Sequence, residues 1–313
     1  MRKVSVIGAG NVGATCANVI ARKNIVNDVV LLDIKSGVAE GKALDMWQTS
    51  SVDFFHTRVR GVTNDYEATK DSAVVVITSG LPRKPGMSRD DLISTNAKIV
   101  KDVTENVVKY SPDAIIIIVS NPLDVMAYTA FMTAKKPKNE VIGMAGILDS
   151  SRYKAFLADE LNISPNCIHG LLLGGHGDTM VPLPRYTSVA GIPVQQLIPK
   201  EKLDIIIERT RKGGGELVEL MGTSAWYAPG AAAAQMVEAV LQDQQCFYPV
   251  AAYLDGEYGL NDLYLGVPII LGRNGIERIV EIDLNKEERD MLDKSAASVK
   301  ETLKTLKNLN ILD

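Results

Sequence analysis

The first 33 residues of the chain contain a pattern that few folds accommodate. A short apolar run, VSVI (4–7), breaks directly into GAGNVG (8–13), and a segment compatible with a helix follows at 14–23. A second apolar run, 29–32, ends at Asp33, 20 residues beyond the last glycine. A G-x-G-x-x-G sequence between a strand and a helix, with an acid at this distance, is typical of the first β-α-β unit of a dinucleotide-binding domain.

The glycines and the acid of this unit each have a physical role. Gly8 permits the tight turn, Gly10 lets the backbone approach a pyrophosphate, and Gly13 lets the helix pack closely on the strand. The helix N-terminus presents unpaired N–H groups and the positive end of its dipole to phosphates. The carboxylate of Asp33 can accept hydrogen bonds from ribose hydroxyls and would repel the additional phosphate of NADP, so the unit predicts NAD as the cofactor. The residues expected around the phosphates are Gly8, Ala9, Gly10, Asn11, Val12 and Gly13.

Composition narrows the classes of protein that remain. The chain has 313 residues, of which 46% are hydrophobic and 23% charged, and its net charge is −4. This length suits two domains, and the charge offers no basic field to nucleic acid. The first apolar run is too short for a signal peptide, and no stretch approaches the roughly 18 apolar residues of a membrane span. Three widely spaced cysteines form neither a disulfide framework nor a metal-ligand pair. We therefore expect a cytoplasmic protein without a metal site and without a membrane or nucleic-acid partner.

The first half of the chain alternates strand and helix patterns. Three further apolar runs, at 73–77, 114–119 and 141–142, lack polar alternation, as expected of strands that are covered on both faces. The segment 88–110, between the first two, has apolar residues at helical spacing. We therefore predict an α/β fold with a Rossmann-type, doubly wound parallel sheet over residues 1–143.

The second half of the chain has a different pattern. Asp255-Gly256 and Asn274-Gly275 lie between apolar runs and indicate antiparallel hairpins. Segment 151–161 has helical character, and apolar residues at intervals of three and four mark a C-terminal helix around 292–306. We predict an α+β domain over residues 144–313, closely packed on the first because no linker separates them.

Polar residues follow the predicted strands, at the edge where parallel sheets bind ligands. The loop after the 73–77 strand carries three cations, Arg83, Lys84 and Arg89. Taken alone, such a loop is an ordinary solvated turn, but beside the cofactor end of the sheet it also suits a lid that delivers arginines to an anion. After the next strand comes Ser120-Asn121-Pro122, where the Asn121 amide would point at the nicotinamide end.

A third polar cluster lies at the start of the second half. It combines LDSSR (148–152) with GGHGD (174–178). The chain has only three histidines, and His176 is the one with glycines on both sides, which leave its ring approachable. His56 and His169 lack such framing, and we interpret them as ordinary surface or core residues.

Together these motifs resemble those of a known family. In chain order they are GAGNVG (8–13), LPRKPGMSRDDL (81–92), VSNPLD (119–124), LDSSRY (148–153), GGHGDT (174–179) and GTSAWYAPGAA (222–232). Their order and spacing are similar to the lactate/malate dehydrogenase superfamily, and more narrowly to its malate dehydrogenases that resemble lactate dehydrogenase. The resemblance extends from residue 1 almost to the C-terminus. One departure is Gly175, because many lactate dehydrogenases have a glutamate before the histidine.

The resemblance implies a role for each polar residue. His176 would be the acid/base that exchanges a proton with the substrate oxygen during hydride transfer, and Asp149 would hold its other ring nitrogen. Arg152 would grip the carboxylate next to the reacting carbon. Arg89 would polarise the carbonyl when the loop closes, and Asn121 would hydrogen-bond the same region. The residues implied at the nicotinamide site are Asn96, Val119, Ser120 and Asn121.

Arg83 distinguishes the substrates that the resemblance allows. Lactate dehydrogenases of this family carry an uncharged glutamine at that loop position, whereas a cation would pair with a second carboxylate, as in malate or oxaloacetate. The alternative is that Arg83 faces solvent at the loop tip. Two other functions stay open: a lactate or broader 2-hydroxy acid dehydrogenase, and a non-catalytic NAD-sensing protein on the same fold. The resemblance also implies a homo-oligomer, with a tetramer favoured over a dimer and the helix near 41–50 as a contact surface.

Overall fold

The computed structural model describes residues 2–82 and 88–312. Its helices are α1 (Asn11–Lys23), α2 (Val38–Gln48), α3 (Ser50–Asp53), α4 (Arg89–Tyr110), α5 (Leu123–Ala134), α6 (Gly146–Leu161), α7 (Val194–Leu197), α8 (Lys200–Met221), α9 (Tyr227–Gln242) and α10 (Lys286–Asn308). Its strands are β1 (Lys3–Ile7), β2 (Asp28–Asp33), β3 (Arg58–Thr63), β4 (Val74–Ile77), β5 (Ile115–Ile118), β6 (Val141–Gly143), β7 (Ile168–His169), β8 (Leu172–Leu173), β9 (Val181–Pro182), β10 (Ser188–Val189), β11 (Ile192–Pro193), β12 (Cys246–Asp255), β13 (Asn261–Gly272) and β14 (Gly275–Ile279).

The main sheet has the strand order β3-β2-β1-β4-β5-β6-β12-β13-β14. The first six strands are parallel, with the order 3-2-1-4-5-6 of a doubly wound dinucleotide-binding fold. The predicted fold class is therefore confirmed. β4 and β5 are buried along their whole length, as runs of Val and Ile covered on both faces require.

The sheet continues from the first half of the chain into the second. β12 pairs antiparallel with β6 through Ala251 and Gly143, and β13 and β14 follow as the two predicted hairpins. The approach at Gly143 is close, because a Cβ there would lie 2.8 Å from the Cβ of Ala251. Strands from the two halves of the chain are thus hydrogen-bonded to each other in one sheet. The division into domains at residue 143 stays a prediction.

Two helices of the second half pack on elements of the first. α9 lies against α1, where a Cβ on Gly230 would stand 2.7 Å from the side chain of Thr15. α10 contacts α4 and α5. The predicted apolar stripe of α10 is buried, and its members are Leu292, Ala296, Val299, Leu303 and Leu306. These contacts agree with the expected close packing of the two halves.

Several elements differ from the sequence prediction, and three of them bear on the site or the sheet. α6 begins at Gly146 and not near residue 151, so Asp149 and Arg152 lie three residues apart on one helix. β3 was not predicted, because it is a sheet edge with polar residues, one of which, Arg60, pairs with Asp28 at 2.8 Å. α8 was not predicted either, and it contains the triple glycine 213–215 in its interior.

One member of this triple glycine packs closely on α6: a Cβ on Gly213 would lie 3.4 Å from Cδ of Arg152. In the described part of the chain, no helix is both long and apolar enough to cross a membrane.

Candidate active site

The three glycines of the turn between β1 and α1 have different structural roles. Gly8 has a φ of +107°, and a Cβ on it would stand 2.7 Å from the hydroxyl of Thr78. A Cβ on Gly13 would lie only 1.8 Å from the carbonyl oxygen of Gly8, so the helix can approach the turn only without a side chain there. Gly10, in contrast, meets no atom within 4 Å. Two of the glycines therefore serve the fold, and Gly10 faces open space.

The acid at the end of β2 is bound to this turn. Asp33 accepts hydrogen bonds from the main-chain N–H groups of Ala9 at 2.7 Å and Lys35 at 2.9 Å. A cleft of about 490 Å³ opens beside it, bordered by Gly8, Gly10 and Asp33. The N-terminus of α1 has no side-chain cap, so its first N–H groups are left for an anion. These features fit a dinucleotide whose phosphates lie on the turn and whose ribose meets Asp33.

Asn96, which is predicted at the nicotinamide site, is hydrogen-bonded to the backbone of two neighbouring segments. It is buried, and its amide oxygen accepts the N–H of Leu81 at 2.8 Å. Its amide nitrogen donates to the carbonyl oxygens of Leu81 at 3.1 Å and Asn121 at 2.7 Å. Asn96 thus ties the start of the loop after β4 to the segment after β5. Ser120 acts in the same way, since its buried hydroxyl donates to the carbonyl oxygen of Ser79 at 2.5 Å.

The two arginines of this loop differ in what can be said of them. Arg83 lies outside the described residues. Arg89 is the first residue of α4, and its guanidinium donates to the hydroxyl of Thr302 on α10 at 2.7 Å. It borders a space of about 280 Å³ that it shares with Asn121 and His176.

A histidine, an aspartate and an arginine meet at the centre of the site. Nδ1 of His176 is 2.9 Å from one carboxylate oxygen of Asp149, and Nη1 of Arg152 is 3.4 Å from the other. All three side chains are largely buried, with exposed fractions of 17%, 3% and 14% in that order. The Nε–H of Arg152 is buried and has no hydrogen-bond partner among the described residues. A buried, unpaired guanidinium donor is costly, so Arg152 suits a carboxylate ligand that would accept from it.

The surroundings of His176 favour its charged form. Burial alone would lower the pKa of the imidazole, but the charge and hydrogen bond of Asp149 and the charge of Asp124 together raise it above its ordinary value. A histidine with a raised pKa keeps a proton available near neutral pH. The ring is therefore suited to donate a proton to a reacting oxygen and to take it back.

The loop that carries His176 is held at three consecutive residues. Gly174 exchanges two main-chain hydrogen bonds with Gly266 of β13, at 2.9 and 3.0 Å. The N–H of Gly175 donates to the hydroxyl of Ser295 on α10 at 2.8 Å, and that of His176 donates to Asp124 on α5 at 3.0 Å. Asp124 and Ser295 were not singled out from the sequence, because an acid after Asn-Pro and a serine on an amphipathic helix carry no local signal.

A cavity of about 350 Å³ connects these groups to the glycine-rich turn. Val12 of α1 borders it on one side, and Val119, Asn121, Arg152 and His176 border it on the others. The structure thereby places Val119 and Asn121 on the same cavity as the histidine. Arg211 of α8, which the sequence analysis did not identify, is a further cation on its wall. Gly214 and Gly215 of the triple glycine also line this cavity.

No metal site accompanies these residues in the part of the chain that the structure describes. Within residues 2–82 and 88–312, His, Cys, Asp and Glu side chains form no group of three or more that could hold an ion. The polar side chains that line the cavity are Asn121, Arg152, His176, Asp178, Arg211 and Ser224.

Comparison with known proteins identifies the family. The model of the lactate/malate dehydrogenase NAD-binding domain matches residues 2–143, and the model of the alpha/beta C-terminal domain of the same enzymes matches residues 147–310. The chain belongs to the lactate/malate dehydrogenase family, and the predicted resemblance and the predicted cofactor NAD are confirmed.

Individual relatives are similar over nearly their whole length. The malate dehydrogenase of Cytophaga hutchinsonii is 66% identical over 98% of this chain and 98% of its own. The solved structure of the malate dehydrogenase from Salinibacter ruber is 54% identical, has a TM-score of 0.95, and matches 98% of each chain. A lactate dehydrogenase from Eimeria maxima, solved with NADH and oxamate, is 42% identical with a TM-score of 0.94 over 99% of this chain and 95% of its own. The fold is therefore shared by both enzyme types.

Proposed function

We propose that the chain is an NAD-dependent malate dehydrogenase that interconverts malate and oxaloacetate. The observation that carries the proposal is the cavity that His176, paired with Asp149, and Arg152 border together with Val12 of the glycine-rich turn. The full-length similarity to named malate dehydrogenases confirms the predicted enzyme class. A non-catalytic NAD sensor would have no use for a buried acid/base pair beside an arginine.

The residues of the site divide the reaction among themselves. The bound nicotinamide supplies or accepts the hydride. His176 donates a proton to the oxygen of oxaloacetate from Nε2, because Nδ1 faces Asp149, and it recovers that proton when malate is oxidised. Asp149 keeps the ring in one orientation and stabilises the imidazolium. Arg152 binds the carboxylate next to the reacting carbon, and the cavity walls exclude water from these charges.

Residues from the first half position and polarise the substrate. Asn121 borders both spaces that adjoin His176, and we assign its amide a hydrogen bond to the reacting oxygen. We assign Arg89 the polarisation of the carbonyl, which requires its guanidinium to leave Thr302. Arg83 is assigned to the second carboxylate of the substrate from the sequence alone.

Within the site, Arg83 is the residue that distinguishes malate from lactate, because the fold is common to both enzymes. A lactate or broader 2-hydroxy acid dehydrogenase is the less supported second candidate, since the relatives of higher identity are named malate dehydrogenases. The test follows NADH absorbance with oxaloacetate and with pyruvate in the native enzyme, in Arg83→Gln and in the matched control Arg89→Gln. The native enzyme should prefer oxaloacetate, and Arg83→Gln should lower the efficiency for oxaloacetate by about 100-fold or more while pyruvate gains, since losing one partner of a desolvated charge pair costs about 2–5 kcal/mol.

The control separates the two arginines. Arg89→Gln should slow both substrates together, because it acts on the carbonyl that they share. An unchanged ratio of efficiencies in Arg83→Gln would refute the pairing of Arg83 with the second carboxylate of the substrate.

We further assign the protein to the cytoplasm, where malate–oxaloacetate exchange is a step of the tricarboxylic acid cycle, and to a homo-oligomer, with a tetramer favoured over a dimer. Large apolar side chains are exposed on and after α2, namely Leu44 at 58%, Val52 at 73% and Phe54 at 85%. Patches of this kind support subunit contact. Sedimentation equilibrium of the native protein and of Phe54→Ser measures the assembly, and a monomeric native protein would contradict it.

A further inference from the structure

One buried carboxylate in this site has no part in the mechanism above. Asp124 is the second residue of α5, and only 7% of it is exposed. One of its oxygens accepts the main-chain N–H of His176 at 3.0 Å, while the other is buried and has no hydrogen-bond partner among the described residues. A carboxylate kept in such surroundings is costly, so its presence calls for a function.

We propose that Asp124 is a positioning residue for His176: it holds the backbone of that histidine and brings a second negative charge to act on its ring. The proposal rests on the proposed function of His176 as the acid/base. Asp149 fixes the ring of His176 from α6, and Asp124 fixes its main chain from α5. His176 is thereby held at its ring and at its main chain by acids on two different helices.

The glycine before the histidine supports this arrangement independently. A Cβ on Gly175 would lie 3.2 Å from the oxygen of Asp124 that binds His176, and 2.8 Å from the side chain of Val299 on α10. A residue with a side chain would therefore press on both neighbours. Gly175 is the position at which this chain departs from the glutamate of many lactate dehydrogenases. Glycine here leaves the space that Asp124 needs to reach the loop.

The charged groups around Asp124 determine how it titrates. His176 faces it from the loop, Asp149 and Arg152 lie beyond on α6, and Arg89 borders the same space from α4. Burial raises the pKa of Asp124 to about 7, the charge of Asp149 acts in the same direction, and His176 opposes both. The charges of Asp124 and His176 therefore influence each other's titration. Ionised Asp124 favours the imidazolium, and this contribution grows as the pH rises through 7.

The decisive measurement is the pKa of His176 itself. The chain has three histidines, so ring signals of ¹³C-histidine-labelled protein can be titrated by NMR, with His176→Asn assigning the signal. Asp124→Asn keeps an acceptor for the N–H of His176 but removes the charge, and it should lower the pKa of His176 by about one pH unit. The matched control is Asp113→Asn, an exposed acid outside the site, which should leave this pKa unchanged. An unchanged His176 pKa in Asp124→Asn would overturn the proposal.

Kinetics test the positioning role separately. In Asp124→Asn, the fall of kcat/KM for oxaloacetate at high pH should move down by about one pH unit, with kcat at pH 6 within about threefold of native. Asp124→Ala also removes the acceptor and should lose about tenfold or more in kcat at every pH, because the N–H of His176 is left without a partner. Native kcat in a folded Asp124→Ala would contradict the backbone role, and if that variant does not fold, the Asn variant still decides. If the native enzyme does not reduce oxaloacetate, the proposed function fails, while the NMR titration still tests Asp124.

Discussion

Replacing Asp149 with asparagine isolates the contribution of charge to the catalytic pair. The substitution conserves size. Water cannot replace the lost interactions, because only 3% of the Asp149 side chain is exposed. Asparagine loses the charge that faces both Nδ1 of His176 at 2.9 Å and Nη1 of Arg152 at 3.4 Å. Its amide can also present a donor to the imidazole N–H, which would repel it.

The size of the effect follows from the bond that is lost. Hydrogen bonds to charged groups contribute about 1.5–3 kcal/mol, and about 1.4 kcal/mol corresponds to a tenfold change in rate. The reduction of oxaloacetate should therefore slow by roughly 10- to 150-fold in kcat. Asp149 raises the pKa of His176, so the variant should hold its imidazolium less well, and the loss should be larger at pH 8 than at pH 6.

Stability gives the same pair a second signature. A histidine whose pKa is raised in the folded state stabilises the fold at low pH, and this stabilisation disappears as the pH rises through the raised value. Asp149→Asn should thus lower the free energy of unfolding more at pH 6 than at pH 9. Stopped-flow NADH oxidation and urea unfolding at these pH values measure the two effects. Equal losses of kcat at pH 6 and pH 8 would show that Asp149 does not act through the charge of His176.

Two predictions concern the cofactor site. Asp33→Ser should weaken NADH binding by roughly 10- to 100-fold, because hydrogen bonds to a charged acceptor are lost. The difference in affinity between NADH and NADPH, measured by fluorescence titration, should therefore become smaller. A native preference for NADPH would contradict the assignment. Gly13→Ala should destabilise the protein by about 1–3 kcal/mol or prevent folding, because its Cβ meets the carbonyl of Gly8 at 1.8 Å. Gly10→Ala is the matched control, since nothing lies within 4 Å of its Cβ: it should unfold like the native protein but bind NADH more weakly, and equal stability of the two variants would refute the contrast.

The sequence predicted the elements in which local pattern and tertiary role coincide. In residues 4–33 the local turn chemistry and the buried packing require the same structure, so the sequence pattern favours a single β-α-β unit. Elements without that agreement were missed. α8 carries three glycines in its interior, and glycine disfavours helix, so only its packing and its place at the cavity explain the segment.

The site shows the same division. His176 was identified because its glycine neighbours and the family motif both point to it. Asp124 acts through the main chain of a residue 52 positions away, and no spacing rule links an acid to a distant N–H. Asn96 was predicted at the nicotinamide site, and in the structure its amide is bonded to protein backbone. Which partner a buried amide has depends on the tertiary structure.

The backbone pairing of Gly143 with Ala251 limits how this molecule can move. Enzymes with two lobes around a cleft commonly open by a hinge between them. A hinge between β6 and β12 would have to break hydrogen bonds in the middle of the sheet. The distance between the glycine-rich turn and His176 is therefore fixed by a continuous sheet. Entry of substrate and release of product are then left to short segments at the rim. The same pairing couples the unfolding of the two halves, so heating should unfold them in one cooperative step.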